Sequence, residues 1–360
     1  MRLSKEITIY ANPDPLLISQ QAIFPGIVQL EDDSLLAFFS IGQAFDAADH
    51  RAFISTSTDL GQSWTAPKRL HHHEFQPHPI SETMKPLLLA DGNLLATGYG
   101  FVRHTDLAPI VDPDTFAVLP LRNLVSRSVD NGQNWEVPNL VDITGQPLEM
   151  SGPCIQLQCG RILAAAPPFH LGEDGHSGWI IFSDNSGQRW EKLATFFESP
   201  GGEIAAWECR LCETRPGQVV VLFWAYDNKT KTNLNNHVAI SYDAGQSFEP
   251  AIDTGVRGQA SNLMRLADDK ILTIHAHRED PAGLWVRQVD ISDGRFKIES
   301  ELSLFSDDHM KSDATDIKKQ FGSLKFGQPS LLQLSNGQVL AAYWAVEDCQ
   351  HVIKGCILDL

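Results

Sequence analysis

Histidine and arginine side chains are neighbours at two places in this sequence, a combination that could move a proton beside an acidic ligand. His104 follows Arg103, and Arg278 follows His277, which is separated by one residue from His275. An imidazole titrates near neutral pH and suits a general base, while a guanidinium can bind a carboxylate. Residues at a spacing of two lie on one side of a β-strand, so His275 and His277 could equally hold a metal ion.

The 13 histidines are unevenly distributed along the chain. All but His351 fall in segments that the strand pattern described below leaves as long connections, whereas the tight turns contain none. Ligands often bind where loops cluster on a rigid scaffold. We therefore predict that the long connections form a binding surface, to which His170 also belongs. The charged connection 303–328 is a candidate lid, or a loop that is merely mobile.

An eight-residue pattern, S-x-D-x-G-x-x-W, organises the chain. Its copies occupy residues 57–64, 128–135, 183–190 and 241–248, with a shortened copy at 290–296. Asp and Ser side chains cap tight turns, Gly supplies a positive φ angle, and the closing aromatic ring can be buried between neighbouring sheets. Each octamer is therefore predicted to close a hairpin. Asp59, Asp130, Asp243 and Asn185, which replaces Asp in one copy, are expected to be structural.

A second pattern, two apolar strands joined by a tight turn, occurs six times. The turns are Asp32-Asp33, Asp91-Gly92, Cys159-Gly160, Pro216-Gly217, Asp268-Asp269 and Asn336-Gly337. A third strand then leads into the octamer and a fourth leaves it, as at 51–56 and 64–70. The repeats predict an all-β fold, a six-bladed β-propeller with four antiparallel strands per blade and one domain spanning 1–360.

The last repeat has three obvious strands, and a further strand at 6–10 precedes the first hairpin. We therefore expect the N-terminal strand to complete the last blade. Such closure removes exposed sheet edges, which would otherwise pair with other chains.

The octamers and hairpins resemble the Asp-box, or BNR, repeats of sialidase-like β-propellers, and the resemblance covers nearly the whole chain. It implies a glycan or oligosaccharide ligand. The sialidases of this superfamily bind the substrate carboxylate with three arginines. They use an Asp as general acid and a Tyr nucleophile activated by a Glu. By this resemblance, Asp46 or Asp49 matches the acid, and Glu208 matches the activating Glu.

Three sialidase features are missing from the sequence. Ile23 stands where the first Arg would be, the second Arg is absent from 222–226, and Gln328 replaces the Tyr. A buried carboxylate needs charge-assisted partners, so a strict sialidase is not expected. We predict instead a glycoside hydrolase acting on an oligosaccharide, with Asp49, or Asp46, and Glu208 as its two carboxyl groups.

Two alternatives remain open. The resemblance also includes polysaccharide lyases, which would use His104, His170, His275 or His277, or a Tyr, as base next to a uronate. A non-catalytic glycan-binding propeller would stack sugars on aromatic rings such as Trp207 and Tyr226. For the hydrolase, lyase and glycan-binding hypotheses together, we assign substrate binding to Lys85, Arg103, His170, Trp207, Tyr226, Arg278 and Gln328.

Composition limits the partners and the location. The net charge of −17 argues against nucleic acid and anionic membranes as partners. No segment resembles a signal peptide or a membrane span, which favours a cytoplasmic protein.

The six cysteines are expected to be buried free thiols, because the chain is large and shows no secretion signal. The CxxC at 209–212 has no second copy, so a zinc site is not expected there. We assign no metal or cofactor, and the sequence leaves the oligomeric state open.

Overall fold

The computed structural model describes residues 1–112, 114–115, 117–143, 145–267, 269–312 and 322–360. Within them the chain forms β-strands and one short 3-10 helix, Asp308–Met310. No helix in these ranges is both long and apolar enough to cross a membrane. Two compact units can be distinguished: a middle unit, Ile143–Pro329 together with Met1, and a terminal unit, Arg2–Asp142 with Ser330–Leu360.

The strands of the described residues form six sheets. In chain order they are β1 (Arg2–Tyr10), β2 (Gln21–Gln29), β3 (Leu35–Gly42), β4 (Arg51–Ser57), β5 (Lys68–Arg69), β6 (Ile80–Leu88), β7 (Leu94–Val102), β8 (Leu121–Ser128), β9 (Asn139–Val141), β10 (Ile155–Gln156), β11 (Ile162–Ala165), β12 (Ser177–Ser183), β13 (Glu191–Glu198), β14 (Ile204–Arg215), β15 (Gln218–Asp227), β16 (Thr232–Asn233), β17 (Asn235–Ser241), β18 (Ile252–Arg257), β19 (Ser261–Arg265), β20 (Lys270–His277), β21 (Gly283–Asp290), β22 (Lys297–Ser306), β23 (Phe326–Gln333), β24 (Val339–Glu347) and β25 (Gln350–Asp359).

The six sheets are the blades of the predicted six-bladed β-propeller. Their strand orders are β2-β3-β4-β5, β6-β7-β8-β9, β10-β11-β12-β13, β14-β15-β17-β18, β19-β20-β21-β22 and β1-β25-β24-β23. The short strand β16 adds a fifth member to one blade by pairing with β15. Strand β1 pairs antiparallel with β25, with Ile7 opposite Gly355. The N-terminal strand therefore completes the last blade, as predicted.

The octamers close tight turns through their own side chains. In the first copy, Asp59 Oδ1 accepts hydrogen bonds from Ser57 Oγ at 2.8 Å and from the Ser63 amide at 2.9 Å. The Trp64 indole donates to the Gly61 carbonyl at 3.1 Å, and Gly61 has a φ of 84°. Equivalent bonds from a Ser hydroxyl and a backbone amide reach Asp130, Asn185 and Asp243. These side chains hold turns, as expected from their sequence.

The closing aromatic rings pack against neighbouring sheets. Trp135, at the end of the second octamer, contacts the Phe38 ring edge-on, with a centroid distance of 5.3 Å. In the middle unit, Phe248 contacts Phe196 at 6.1 Å. The octamers thus link each turn to the apolar core, which explains why the pattern ends in a large ring.

The hairpin turns have the backbone geometry that their residues predict. Within the described residues, their second positions all have positive φ angles: Asp33, Gly92, Gly160, Gly217, Asp269 and Gly337. Asp268, the other residue of one predicted turn, lies outside the described residues. Residues 313–321 of the candidate lid lie outside them as well, and β22 already occupies the start of that segment, as far as Ser306.

Three details differ from the sequence-based expectation. The first outer strand, β5, contains only Lys68 and Arg69, because Pro67 before it has no amide hydrogen for the ladder. All six cysteines are free thiols, but Cys159 and Cys349 are exposed, whereas all six were expected to be buried. Histidines 237, 275 and 277 lie inside β17 and β20, since these strands extend into segments predicted to be loops.

Candidate functional site

Glu208 lies on a strained bulge in the middle unit. The register between β14 and β15 shifts between Trp207 and Arg210, so the intervening residues leave the regular ladder. Glu208 has a φ of 50°, which is unusual for a residue with a side chain. Its side chain retains 15% exposure, so the carboxylate is largely buried. Strain of this kind often accompanies a functional position.

Both oxygens of the Glu208 carboxylate are held by side chains. Arg210 Nη2 donates to Oε2 at 2.8 Å, and Gln328 Nε2 donates to Oε1 at 2.6 Å. The Arg210 side chain is itself buried, and its Nη1 donates to Ser151 Oγ and to the Cys209 carbonyl. The guanidinium therefore fixes Glu208 to the segment before β10 as well as to its own strand.

Glu149 is a second carboxyl group at this site that the sequence analysis missed. It is 4% exposed, and its Oε1 accepts a hydrogen bond from the Glu208 amide at 3.3 Å. Burial, followed by the charge of Glu208, raises the pKa of Glu149 to about 8. The signal in the sequence is a Glu between Leu148 and Met150, a few residues before β10. At neutral pH this carboxyl is mostly protonated.

Arg278 and Gln328 complete the polar cluster. Arg278 is 6% exposed, and its Nε donates to the Phe326 carbonyl at 2.9 Å. Within the described part of the chain, its two terminal nitrogens have no hydrogen-bond partner. Burial lowers the pKa of Arg278 to about 10, an effect that the nearby Glu208 carboxylate opposes. A Cβ at Gly327 would clash with Arg278 Nη2, so this glycine makes room for the guanidinium.

The predicted sugar-stacking rings pack on one another. Trp207 stacks on Tyr226 with a centroid distance of 5.0 Å and an interplanar angle of 20°, and Trp224 meets Trp207 edge-on. All three are buried, and Trp224 donates its indole hydrogen to Asn233. The ring faces are occupied, which favours a packing role over an exposed platform for a sugar.

The candidate histidines of the middle unit have different environments. His275 is completely buried and uses both ring nitrogens, with Asn236 Oδ1 at 2.8 Å and Thr273 Oγ1 at 3.0 Å. Burial holds its pKa well below the usual value. A base in this position cannot reach a ligand, so the structure favours a structural role for His275.

The other two histidines are more accessible. His277 is partly buried, with Nε2 3.8 Å from Glu279, and His170 stacks on the His176 ring at 4.1 Å. Among the described residues, no group of three or more His, Cys, Asp and Glu side chains is arranged to hold a metal ion.

In the terminal unit, Asp46 and Arg103 bind each other. Arg103 Nη2 donates to Asp46 Oδ1 at 2.7 Å, and Asp46 Oδ2 accepts a hydrogen bond from the Ile110 amide. Arg103 is 2% exposed and also donates to Ser81 Oγ. This pairing favours a structural role for Asp46 and leaves Arg103 poorly placed to bind a ligand.

The remaining candidates of the terminal unit divide into buried and exposed groups. Lys85 is buried and donates to the carbonyl groups of Phe24 and Pro25, which anchor it to the backbone of β2. Asp49 and His104 are exposed. Asp49 accepts a hydrogen bond from a backbone amide at 3.0 Å, and the His104 ring contacts that of His78.

Several solved structures share this fold. A mutant of the NanB sialidase from Streptococcus pneumoniae superposes with a TM-score of 0.69 at 12% identity, covering 100% of this chain and 71% of its own. The leech intramolecular trans-sialidase, solved with 2,7-anhydro-Neu5Ac, gives a TM-score of 0.69 at 12% identity, covering 99% and 70%. A Dyadobacter fermentans protein of unknown function gives 0.78 at 21% identity, covering 100% and 99%.

These similarities show a sialidase-like β-propeller fold. No family model matches the chain, and no curated protein matches it. Sequence identities this low do not carry over an activity, because one fold can serve unrelated functions. Function is therefore inferred from the side chains around Glu208.

Proposed function

We propose that this protein is a glycoside hydrolase that acts on an oligosaccharide and is not a strict sialidase. We further propose that its octamers are Asp-boxes and that it belongs to the BNR-repeat superfamily. The observation that carries the activity is the Glu208 carboxylate, held on a strained bulge with both oxygens fixed. A positioned carboxylate is the group that glycoside hydrolases use as nucleophile or general base.

The replacement of Tyr by Gln328 supports a role for Glu208 in the chemistry. In the sialidases that this chain resembles, a Glu activates a Tyr nucleophile, but an amide cannot attack an anomeric carbon. Here the Gln328 amide donates to Glu208 Oε1, so it orients the carboxylate. Glu208 would then react directly or remove a proton from water. Asp49, which is exposed, stays the proposed general acid.

Arg278 favours a substrate with one acidic group. Its Nη1 and Nη2 have no partner within the described residues, whereas Arg210 already binds Glu208 and Ser151. A guanidinium binds a carboxylate through two parallel hydrogen bonds. One guanidinium suits the single carboxylate of a uronate or a similar acidic sugar. It provides fewer hydrogen-bond donors than the three arginines of sialidases.

A lyase or a purely glycan-binding role is less well supported. Of the lyase bases, His275 is fully bonded and buried, and Arg103 next to His104 is already paired with Asp46. The aromatic rings of a binding platform are buried against one another. A cytoplasmic location remains a proposal, which is supported by six unpaired cysteines, since disulfides are rare in reducing compartments.

The test is a product screen of purified protein with acidic and neutral oligosaccharides, read by mass and by ultraviolet absorbance. Hydrolysis adds one water, whereas a lyase product contains a new conjugated double bond. We expect hydrolysis by the wild type and its loss in Glu208→Gln. Glu213→Gln is the matched control, because Glu213 lies on the same strand and accepts hydrogen bonds from backbone amides. An unsaturated product, or full activity in Glu208→Gln, would overturn the proposal.

A further inference from the structure

We propose that Glu149 is a neutral positioning residue for Glu208. It carries a proton on Oε2 and uses Oε1 to hold the Glu208 backbone, so that one negative charge remains in the pair. The kinetic part of this inference rests on the proposed hydrolase function. The protonation of Glu149 does not, and it can be measured without a substrate.

The hydrogen bonds of Glu149 are asymmetric. Oε1 accepts from the Glu208 amide at 3.3 Å, and this amide and the nearby Ser151 hydroxyl lower the pKa of Glu149 by less than burial raises it. Oε2 is buried and has no hydrogen-bond partner in the described part of the chain. Burying an ionised carboxylate costs free energy when one of its oxygens accepts no hydrogen bond. A protonated carboxyl group is uncharged and needs fewer hydrogen-bond donors around it. The asymmetry therefore places the proton on Oε2.

The charges around Glu149 also favour its neutral form. The facing titratable groups are Glu208, Cys209 and Arg210, all on β14. The Arg210 guanidinium is already bonded to Glu208, to Ser151 and to a backbone carbonyl. Burial raises the pKa of the Cys209 thiol well above its usual value, so the thiol stays neutral. A charge on Glu149 would thus face another carboxylate without a dedicated cation.

The burial of Oε2 excludes direct contact with a substrate in this arrangement. Glu149 would therefore act through Glu208, by holding the amide of the strained bulge and by staying uncharged. The pKa of about 8 agrees with this role. With Glu149 protonated, only Glu208 can carry a charge in the pair. Above that pH a second charge repels Glu208 and any acidic ligand, so activity should fall on the alkaline side.

Two substitutions separate positioning from proton donation. Glu149→Ala removes the acceptor for the Glu208 amide, and we expect kcat/KM to fall at least about tenfold. Glu149→Gln resembles the protonated carboxyl group, so it should restore most of this loss and remove the alkaline decline. Ser151→Ala is the control, because it removes a neighbour of Glu149 and a hydrogen-bond partner of Arg210 but leaves the ionisable Glu149 carboxyl group. Its alkaline decline should remain.

An infrared titration tests the proton directly. Wild-type protein should show a protonated carboxyl band at pH 6.5 that disappears near pH 8 and is absent from Glu149→Gln. If that band is missing from the wild type, the inference is wrong, whether or not any sugar is cleaved. It is also wrong if Glu149→Gln is as inactive as Glu208→Gln at every pH, since Glu149 would then transfer its proton. Absence of turnover by all variants would reject only the hydrolase function.

Discussion

The Gln328 side chain donates a 2.6 Å hydrogen bond to Glu208 Oε1 across a sequence separation of 120 residues. Both residues have positive φ angles, 40° for Gln328 and 50° for Glu208. This one hydrogen bond offsets part of the conformational cost of both strained residues. The Gln328 amide thus fixes one oxygen of the Glu208 carboxylate.

Removal of this amide should impair Glu208 without unfolding the protein. Gln328→Leu leaves Oε1 without its donor, and a hydrogen bond to a charged group contributes about 1.5–3 kcal/mol. We expect kcat/KM on the substrate found by the screen to fall roughly 10- to 100-fold. Gln333→Leu, at the exposed end of the same strand, is the control and should retain wild-type kinetics. Equal activity of the two variants would mean that Gln328 does not orient Glu208.

The fold could be predicted because its signals are local. Each octamer contains the Ser, the Asp or Asn, and the Gly of its own turn, and each hairpin has a residue suited to positive φ, such as Asp33 or Gly92. Such turns form from neighbouring residues, so a single sequence reveals them. The strand predicted at 64–70 is shorter in the structure, because Pro67 has no amide hydrogen to pair with β4.

The site was harder to predict because its contacts are not local. Glu208 was found through a family resemblance, whereas Glu149 lies in an irregular segment without a strand pattern. Its role depends on its burial and on the amide of Glu208. His275 illustrates the converse error. A polar residue near a strand end resembles a loop residue in sequence, although here Asn236 and Thr273 bond it inside the sheet.

Arg278 should determine the preference for acidic sugars. Arg278→Lys keeps a positive charge but loses the planar pair of donors, which matters at a bidentate site. We expect KM for an acidic oligosaccharide to rise about tenfold, equivalent to about 1.4 kcal/mol, with little change for its neutral counterpart. Arg257→Lys is the control, since the Arg257 side chain is more exposed than that of Arg278 and is already paired with Glu279. An equal rise of KM for acidic and neutral substrates would show that Arg278 does not recognise the charge.

The octamer aspartates should affect acid stability and leave activity unchanged. Hydrogen bonds from Ser63 and Ser57 lower the pKa of Asp59 to about 2, below its value in an unfolded chain. A lowered folded-state pKa means that the ionised Asp stabilises the fold above pH 4, and this contribution disappears as the pH falls towards 2. Asp59→Asn reproduces the turn of Asn185, so it should lose less stability at pH 7 than Asp59→Ala. Urea unfolding at pH 3 and pH 7 checks this: the difference between wild type and Asp59→Asn should shrink at pH 3. An undiminished difference at pH 3 would show that ionisation of Asp59 does not stabilise the turn.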